Sequence, residues 1–493
     1  MNTDAPWPSL EEARARVLEI QTKLHRWATD GPDRRFDDLF NLVCDPAFLT
    51  VGWDRVRGNR GARTAGVDGV KPRSIGAKDG EEFLRELRDD LKARRFAPLP
   101  VRERMIPKTS GKLRRLGIPT GRDRCVQASL KLVLEPIFEA DFKPCSYGFR
   151  PMRRAQDAIE EIHHFGRLSY EWILEGDIAS CFDEISHSAL LDRVRGRIGD
   201  KRVRALVKAF LIAGILTEDG ALRGSKTGTP QGGILSPCLA NIALSALDEH
   251  FAETWETTMA TNEDRVKRRR RGLPMYRHIR YADDFVVMVS GTEAQAEALK
   301  VEIAAVLLTV GLRLSEEKTS VCHINEGFDF LGFRIQRKRK RGTNKVYVYS
   351  WPSKKALASI MAKVKTITRQ GTDQPLSLVL RQLNSALHGW AVYFRHGCSK
   401  QTFNYLAHYT WLRVWRWLRK KHRRAHWRTI RRRYLQLLGR LVPHDGGIEL
   451  FNIASVPVTR YRYRGTKIPN PWTQRPTTTG TQLTLGLVES RVR

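Results

Sequence analysis

The sequence predicts an α+β fold in which a split βαβ sheet with helices on one face is followed by a helical domain. Three observations lead to this prediction. Between residues 66 and 345, short apolar strand segments alternate with helical stretches. Beyond residue 345 the chain becomes helical, aromatic and rich in arginine. Its 493 residues also exceed what one compact core holds, so two to four structural units are expected.

A helical N-terminal extension is expected over residues 1–65. Ser9-Leu10-Glu11-Glu12 has the pattern of a capping box, and apolar residues then recur at helical spacing to about residue 27. A second helix is expected over Phe36–Leu49, followed by a glycine-rich loop at Gly58–Gly69. Met1–Ser9 lacks the features of a signal peptide, and no apolar stretch approaches the length of a membrane span.

The sheet is expected to come from residues 66–345. Glu171–Ile178 combines aromatic and β-branched residues before an acidic turn, which predicts a strand. Ile279–Val289 holds two short apolar segments separated by Asp283-Asp284, which predicts a hairpin. Further strands are expected at Leu312–Leu314 and Phe328–Ile335, and helices at Ser186–Ile215 and, with the cap Thr292-x-x-Gln295, up to about Val310.

The charge balance points to a polyanionic partner. Lys and Arg number 86 against 53 Asp and Glu, which gives a net charge of +33. No acidic residue occurs from Gln374 through His444, so the arginines of that helical region have nothing local to pair with. One face, formed by Trp411, Val414, Trp415 and Leu418, is expected in a core. The cations expected to bind nucleic acid are Arg413, Arg416, Arg419, Lys420, Arg423, Arg424 and Arg428.

Seven cysteines are scattered singly through the chain. Their spacing indicates neither a zinc ribbon nor a disulfide framework, and it fits a reducing compartment. A cytoplasmic, nucleoid-associated protein is therefore expected. From Pro457 onward the chain is rich in Thr, Pro, Gly and Arg, and this tail is expected to order only when bound.

Three Asp-Asp dipeptides occur in the chain, at Asp37-Asp38, Asp89-Asp90 and Asp283-Asp284. The first two lie in polar helical stretches and read as solvated surface. The third is flanked closely by apolar strand residues, where adjacent carboxylates repel one another unless a cation lies between them. Mg²⁺ suits such a site, and two-metal catalysis needs a third carboxylate, for which Asp177 at the end of another apolar strand is the natural candidate.

Other residues could bind a nucleotide. Phe182 could lie beside the ribose and exclude a 2′-hydroxyl, or it could equally be a core phenylalanine. Thr229–Gly233 could bring backbone close to a base pair, or could simply be the turn before a helix. Lys108 and Arg114, in a basic hairpin-like stretch, could clamp a triphosphate. Each signal is weak alone, and their order along the chain makes them strong together.

Nine stretches, in this order, carry a resemblance to a known family. They are Gly66–Gly69, Ile106-Pro107-Lys108 through Gly117-Ile118-Pro119, Ser146–Pro151, Asp177–Asp183, Thr229–Pro237, Tyr281–Asp284, Glu317–Thr319, Phe330–Phe333 and His388–Phe394. With them the chain resembles the bacterial group II intron-encoded reverse transcriptases, or maturases, over roughly residues 50–440.

The resemblance implies a right-hand polymerase. Fingers and palm would occupy residues 66–345, a helical thumb called domain X residues 346–445, and a basic tail with possible DNA binding residues 446–493. The positions implied to bind two Mg²⁺ ions are Asp177, Ile178, Asp283 and Asp284. Those implied to contact the nucleotide are Lys108, Arg114, Phe182 as sugar gate, Gln231 at the nascent pair and Lys318 near the leaving pyrophosphate. The implied primer grip is Leu331-Gly332-Phe333.

The implied function is RNA-directed DNA synthesis, with binding of the intron RNA to promote splicing, and mobility by target-primed reverse transcription. The expected partners are the intron RNA template, a DNA target or primer and deoxynucleoside triphosphates, with the oligomeric state left open. Because no cysteine follows Cys398, the C-terminal nuclease of longer members is not expected.

Four alternatives remain open at this point. One is a splicing factor with dispensable polymerase activity, and another is a domesticated or defence-associated reverse transcriptase that serves no intron. An RNA-dependent RNA polymerase or a palm-type nucleotide cyclase would use the same arrangement of metal-binding carboxylates. Phe182 disfavours the former and the basic helical domain disfavours the latter.

Overall fold

The computed structural model describes residues 7–107, 111, 113–437 and 441–473. The helices are α1 Leu10–Asp30, α2 Phe40–Val43, α3 Pro46–Gly58, α4 Ala77–Lys92, α5 Gly121–Asp141, α6 Ala155–Gly166, α7 Cys181–Glu184, α8 His187–Arg197, α9 Lys201–Ile212, α10 Ser236–Thr258, α11 Asn262–Arg270, α12 Glu293–Leu308, α13 Lys354–Ile367, α14 Leu376–Phe394, α15 Lys400–Lys421 and α16 Trp427–Tyr434. The strands are β1 Val101–Pro107, β2 Leu113–Ile118, β3 Trp172–Asp177, β4 Ile215–Leu216, β5 Leu222–Arg223, β6 Met275–Tyr281, β7 Asp284–Ser290, β8 Ser320–His323, β9 Phe328–Phe330, β10 Phe333–Arg339, β11 Val346–Pro352, β12 Leu435–Leu437, β13 Leu441–Asp445 and β14 Ile448–Glu449.

The first of two compact units comprises residues 7–158, 174–321 and 464–473 of the described chain. Its main sheet has the strand order β6-β7-β3-β8, and a second sheet has the order β2-β1-β4-β5. Every side chain from Phe285 to Val289 in β7 is buried, so this central strand is covered on both faces. Helices α10 and α12 pack together, and α10 also packs against β6. The α+β class is confirmed.

The second unit comprises residues 159–173 and 322–463. A small antiparallel sheet, β11-β10-β9, accompanies helices α13, α14 and α15, which pack on one another through α13. In α15 the buried face includes Val414, Trp417 and Leu418. Trp411 and Trp415 are only half-buried and stack on each other with ring centroids 6.1 Å apart. The expected apolar face is therefore correct for two of its four residues, and it is centred nearer Trp417.

Both capping boxes that the sequence predicts are present. The Ser9 and Glu12 side chains cap one another's backbone at the start of α1. Thr292 and Gln295 do the same at the start of α12. Each pairing satisfies two amide groups that a helix start leaves unpaired, which explains why these helices begin where the sequence places them.

Two expected helices are each divided in the structure. The stretch Phe36–Leu49 contains the short α2 and the start of α3, because the Asp45 carboxylate accepts a hydrogen bond from the Ala47 amide (2.8 Å) and begins a new helix. The stretch Ser186–Ile215 contains α8 and α9, separated at Gly199-Asp200. There Asp200 caps α9 in the same manner, because it accepts from the Arg202 amide at 2.9 Å.

Two strand predictions are wrong in detail. Leu314 forms only an isolated bridge with Ile178, so Leu312–Leu314 is not a strand. The segment Phe328–Ile335 forms two strands, because Leu331 and Gly332 turn the chain with φ values of 49° and 79°.

In the tail, Arg464 and Trp472 contact other residues of the first unit. Arg464 donates to both Asp157 oxygens (2.8 and 2.7 Å), and the Trp472 indole donates to Gln21 at 3.3 Å. Within the ranges that the structure describes, each helix is too short or too polar to cross a bilayer. All seven cysteines lie in those ranges and are free thiols.

Candidate active site

The β6–β7 hairpin places two aspartates at its tight turn. Tyr281 pairs with Asp284, so the turn residues are Ala282 and Asp283, and Asp284 begins β7. The expected division at Asp283-Asp284 is thus displaced by one residue. Ala282 has a φ of 59°, which costs free energy for a side chain that bears a Cβ. A turn with this strain persists only where neighbouring groups hold it.

A segment before β3 holds the turn from one side. The backbone of Ser146-Tyr147 runs parallel to β6, where the Tyr147 amide donates to the Arg280 carbonyl at 2.8 Å. Next in this segment, Gly148 packs directly on the turn. A Cβ at that position would lie 2.3 Å from the Ala282 nitrogen, so only glycine fits.

Arg280 holds the turn from below through a network that the sequence did not reveal. Its side chain is fully buried, and all five N–H groups are used. They donate to both Asp248 oxygens (2.8 and 2.5 Å), to Asn241 Oδ1 (3.0 Å), to Ser146 Oγ (2.7 Å) and to the Ala282 carbonyl (2.9 Å). Burial alone would raise the pKa of Asp248, but the adjacent Arg280 charge and its hydrogen bonds hold that pKa well below its ordinary value.

The only signals for this network in the sequence were a charged residue inside an apolar strand and an aspartate inside the apolar helix α10. Neither identifies the partner, because 32 residues separate Arg280 from Asp248. Asn241, also on α10, extends the network by donating to the Gly148 carbonyl at 2.8 Å. One buried arginine therefore links the turn, the Gly148 segment and α10.

A third carboxylate lies on the neighbouring strand. Asp177 is the last residue of β3, which is adjacent to β7 in the sheet. Burial, and then the negative charge of Asp177, raise the pKa of Asp283. The positive charges of Arg114 and Lys318 act on Asp283 in the opposite direction. Asp177, Arg114 and Lys318 therefore all lie within electrostatic reach of Asp283, and Asp284, the next residue, is exposed.

The donor set fits a hard divalent cation. Among the described residues the Asp283 carboxylate forms no ion pair, and Asp177 repels it, so a cation between them would relieve the repulsion. Ile178 follows in an isolated bridge with Leu314. The hydrogen bonds of that bridge belong to Asp177 and Ala179 (2.8 and 3.0 Å), so the bridge itself does not use the Ile178 carbonyl.

A second group of ligand-type atoms suits a metal ion less well. Atoms of Cys145, Asp248 and His278 lie within 4.8 Å of one another. The guanidinium of Arg280 already forms two hydrogen bonds with Asp248, so the local positive charge is in place before any ion could bind. His278 also stacks on Phe251, with centroids 4.7 Å apart. The cluster is better explained as the support of the turn.

Lys318 and Arg114 approach this site from two directions. The Lys318 ammonium lies 2.5 Å from an Asp177 oxygen, and its side chain is 63% exposed, so it can also reach a ligand. Arg114 is exposed on β2, opposite Ile106 in β1. Lys108, its expected companion, lies outside the residues that the structure describes.

Phe182 lies on the short helix α7 and is half-buried, so it is not a core residue. Its ring meets Phe149 edge to face, with centroids 6.5 Å apart. The Thr229 amide donates to the Phe182 carbonyl at 2.6 Å, and a Cβ at Gly228 would lie 2.5 Å from the same oxygen. The loop that carries Gln231 is thereby attached to the Phe182 backbone.

Gln231 itself is anchored by its backbone. The Gly117 amide donates to the Gln231 carbonyl at 2.7 Å, which leaves the half-buried side chain available. Gly232, with φ 118°, packs so closely that a Cβ would lie 2.6 Å from the Gly117 carbonyl. Helix α10 begins only at Ser236, so the Thr229–Gly233 stretch is a packed loop ahead of the helix.

The remaining predicted site residues belong to the second unit. Leu331 and Gly332 form the turn between β9 and β10, where the Leu331 carbonyl accepts from the Tyr393 hydroxyl at 2.8 Å. Phe333 is buried against Phe394, with centroids 4.8 Å apart, so it supports this turn from within the unit.

The seven cations expected to bind RNA are not equivalent. Arg413 is half-buried, and its guanidinium donates to Thr368 Oγ1 at 3.0 Å, so it has a structural partner. The other six have exposed side chains: Arg416, Arg419, Lys420, Arg423, Arg424 and Arg428.

Comparison with known proteins matches two family models to separate parts of the chain. Residues 106–335 match "Reverse transcriptase (RNA-dependent DNA polymerase)", and residues 357–435 match "Group II intron, maturase-specific domain".

Individual relatives agree with these models. Protein YkfC of Escherichia coli K12 is 38% identical over 358 residues, which cover 69% of this chain and 93% of that protein. The group II intron-encoded protein LtrA of Lactococcus lactis is 31% identical over 380 residues, 67% of this chain and 61% of LtrA. A 91 kDa protein in the cob intron of Schizosaccharomyces pombe is 32% identical, and 40% of its length is covered. The chain therefore spans nearly all of the first relative but less than two thirds of the other two.

Proposed function

The chain belongs to the reverse transcriptases that carry a group II intron maturase domain, and we propose that its RNA-directed DNA synthesis takes place at Asp177, Asp283 and Asp284. The observation that carries this proposal is the meeting of Asp177 and Asp283 at the ends of neighbouring strands, with Arg114 and Lys318 beside them. An acidic pair flanked by two cations suits a substrate that combines metal ions with phosphates.

Two Mg²⁺ ions bound by Asp177, Asp283, Asp284 and the Ile178 carbonyl would activate the primer 3′-hydroxyl and stabilise the departing pyrophosphate. The protein's own contribution is placement and charge. The Arg280 network fixes the turn, so that the Asp283 carboxylate does not reorganise during the reaction.

The cations beside the carboxylates would bind the triphosphate. Lys318, within 2.5 Å of Asp177, is placed to neutralise negative charge that develops on the leaving phosphates. Arg114 offers a planar fork suited to two phosphate oxygens, and Lys108 would act with it. Phe182 would exclude a 2′-hydroxyl, and Gln231 would lie against the nascent pair, since its loop is attached to the Phe182 backbone. In the second unit, the turn at Leu331-Gly332-Phe333 would grip the primer.

For the second unit we propose binding of the intron RNA that the protein copies, which would promote splicing and, with a DNA target as primer, intron mobility. The maturase-specific match covers residues 357–435, and five of the six exposed cations predicted to bind RNA lie on or directly after α15. With no acidic residue from Gln374 through His444, this surface has no internal counterion. Its affinity for RNA should therefore depend strongly on salt.

Replacing one turn carboxylate tests the polymerase proposal. Asp283→Asn keeps the size of the side chain but removes its charge, and we expect primer extension on an RNA template to fall by about 10³-fold or more. RNA binding, measured by filter retention, should stay within about twofold. Asp89→Asn is a matched control, since it also removes one charge from an Asp-Asp pair but on the exposed face of α4.

Extension by Asp283→Asn at a rate close to that of Asp89→Asn would reject the site assignment. The same variant separates the two roles. If Asp283→Asn stimulates splicing of an intron transcript as well as the unmodified protein does, that result would favour an RNA-binding role that is independent of DNA synthesis. Stimulation of no intron, together with intact extension, would favour the reverse transcriptase that serves no intron.

A further inference from the structure

A second basic feature lies in the first unit, at the end of the β6–β7 hairpin opposite the catalytic turn. The segment 262–271, named here the basic segment, contains six Lys and Arg residues and two acids. It forms α11 and joins β6 at Met275, which pairs with Ser290 where the hairpin begins. Six residue steps along β6 separate Met275 from Tyr281, so the basic segment begins roughly 20 Å from the catalytic turn.

The basic segment has well-defined ends. Thr261 and Asp264 form a capping box at the start of α11. At its end, Gly272 has φ 66°, its amide donates to the Arg269 carbonyl, and the Leu273 amide donates to the Arg268 carbonyl, both at 3.0 Å. This is a Schellman motif, which ends a helix with its last carbonyls satisfied. A short helix with both ends capped presents its side chains in fixed directions.

Two arginines of the basic segment attach it to the protein. Arg265 donates to the carbonyls of Met259 and Ala260 (2.9 and 2.8 Å). Arg268 donates to the Pro274 carbonyl at 2.6 Å and lies over the Tyr276 ring. From α12, the Gln295 side chain donates to the Gly272 carbonyl at 2.6 Å, which fixes the far end of the segment.

The other cations of the segment face solvent. Arg269, Arg270 and Arg271 are exposed, and none of the three forms an ion pair among the residues that the structure describes. Lys267 has only a distant partner, Glu263 at 3.9 Å, and both of these side chains are largely exposed. Three adjacent exposed arginines at the end of this helix concentrate positive charge, and such a surface attracts a polyanion.

We propose that Arg269, Arg270 and Arg271 bind backbone phosphates of the RNA substrate, outside the stretch being copied. The choice of RNA as the ligand of these arginines rests on the proposed function, since their charge pattern fits the backbone of any nucleic acid. The two acids of the basic segment are confined to the first turn of α11, at the opposite end from these three arginines. At roughly 20 Å from the turn, the bound phosphates would belong to RNA that flanks the template and not to the reacting nucleotides. The three arginines therefore hold the flanking RNA on the protein and take no part in the reaction itself.

The test compares two RNAs with one variant. The probes are a long folded intron transcript and a short primer–template duplex that fills only the catalytic cleft. For the triple substitution Arg269→Gln, Arg270→Gln and Arg271→Gln, affinity for the transcript at about 150 mM salt should fall tenfold or more. The slope of log K against log salt should become shallower by about 2, as expected for three lost phosphate contacts. Extension of the short duplex should keep its kcat and KM.

A matched control removes three exposed cations elsewhere in the first unit, through Arg195→Gln, Lys201→Gln and Lys208→Gln on α8 and α9. An equal loss of affinity in this control would show a nonspecific charge effect and would overturn the proposal. An unchanged slope of log K against log salt in the α11 variant would also overturn the proposal. The same holds if the α11 variant loses as much affinity for a DNA duplex of the same length as it loses for the RNA transcript. Intact extension of the short duplex in each case leaves the polymerase assignment standing, so the two proposals fail separately. Thermal unfolding of both variants should match the unmodified protein, because the side chains removed are exposed.

Discussion

The turn at Ala282-Asp283 and the arginine surface of α15 and α16 are built in opposite ways. The turn is a single strained conformation, with Ala282 at φ 59°, enclosed by Gly148 and by the five donors of Arg280. The arginine surface consists of exposed side chains, none of which forms an ion pair among the residues that the structure describes: Arg416, Arg419, Lys420, Arg423, Arg424 and Arg428. The first is preorganised and the second is adaptable.

This difference follows from what each surface would bind. Synthesis requires reacting groups held to within fractions of an ångström, which a buried hydrogen-bond network provides. Folded RNA offers many phosphates at varied positions, and long flexible cations can follow them. Single changes at the turn should therefore have large, all-or-none effects, whereas single changes on the arginine surface should have small, additive ones.

The largest effect is expected from removing the buried guanidinium. Arg280→Met leaves the Asp248 charge buried and uncompensated, so we expect the free energy of unfolding to fall by about 3–5 kcal/mol. The fall is measured by chemical denaturation. Arg280→Met combined with Asp248→Asn removes both charges and keeps an acceptor for His278, so much of this stability should return.

The double variant decides what the network is for. We expect its primer extension to remain at least tenfold reduced, because the Ala282 carbonyl and Ser146 hydroxyl still lack the donor that positions the turn. A double variant that folds and extends primers at the normal rate would show that Arg280 serves stability alone. The turn would then not need the preorganisation inferred for it.

An intermediate effect is expected at Phe182, whose ring meets Phe149 and which lies outside the buried network. Phe182→Ala would open the space that a 2′-hydroxyl needs, and discrimination against ribonucleotides should fall by about 10–200-fold. Competing incorporation of a deoxynucleotide and its ribonucleotide measures this ratio. Phe182→Tyr keeps the ring and should keep the discrimination. Unaltered selectivity for deoxynucleotides in Phe182→Ala would show that Phe182 serves only to pack against Phe149.

Local patterns in the sequence predicted those parts of the fold that local physics determines. The capping boxes at Ser9 and Thr292 fix helix starts within four residues of chain, and the strand Trp172–Asp177 follows from its own composition. The hairpin was predicted, but its turn was placed one residue late, because Asp-Asp looks like a turn and Ala282 does not. A positive φ at alanine is imposed by tertiary contacts.

In the candidate site too, local sequence patterns did not reveal the contacts that the tertiary fold creates. The residues expected to bind metal and nucleotide were identified from motifs, and their roles remain predictions. The support beneath them was not identified, since Arg280, Asp248 and Ser146 are brought together only by the fold. For Arg413 the residue type is visible in the sequence but its partner, Thr368, is not, so an arginine with a structural partner could not be distinguished from those expected to bind RNA.

The smallest effect separates those two kinds of arginine. Arg416 is exposed on α15, and Arg416→Gln should remove one phosphate contact, so that the slope of log K against log salt becomes shallower by about 0.7. Affinity for intron RNA at about 150 mM salt should fall only a few-fold, with thermal stability unchanged. Arg413→Gln is the matched substitution three residues away, and there the lost hydrogen bond to Thr368 should cost about 1 kcal/mol of stability while the salt slope stays the same. Two results would contradict this contrast: a loss of stability in Arg416→Gln, or a change of the salt slope in Arg413→Gln as large as that in Arg416→Gln. Either would show that the arginine surface is a coupled network like the turn.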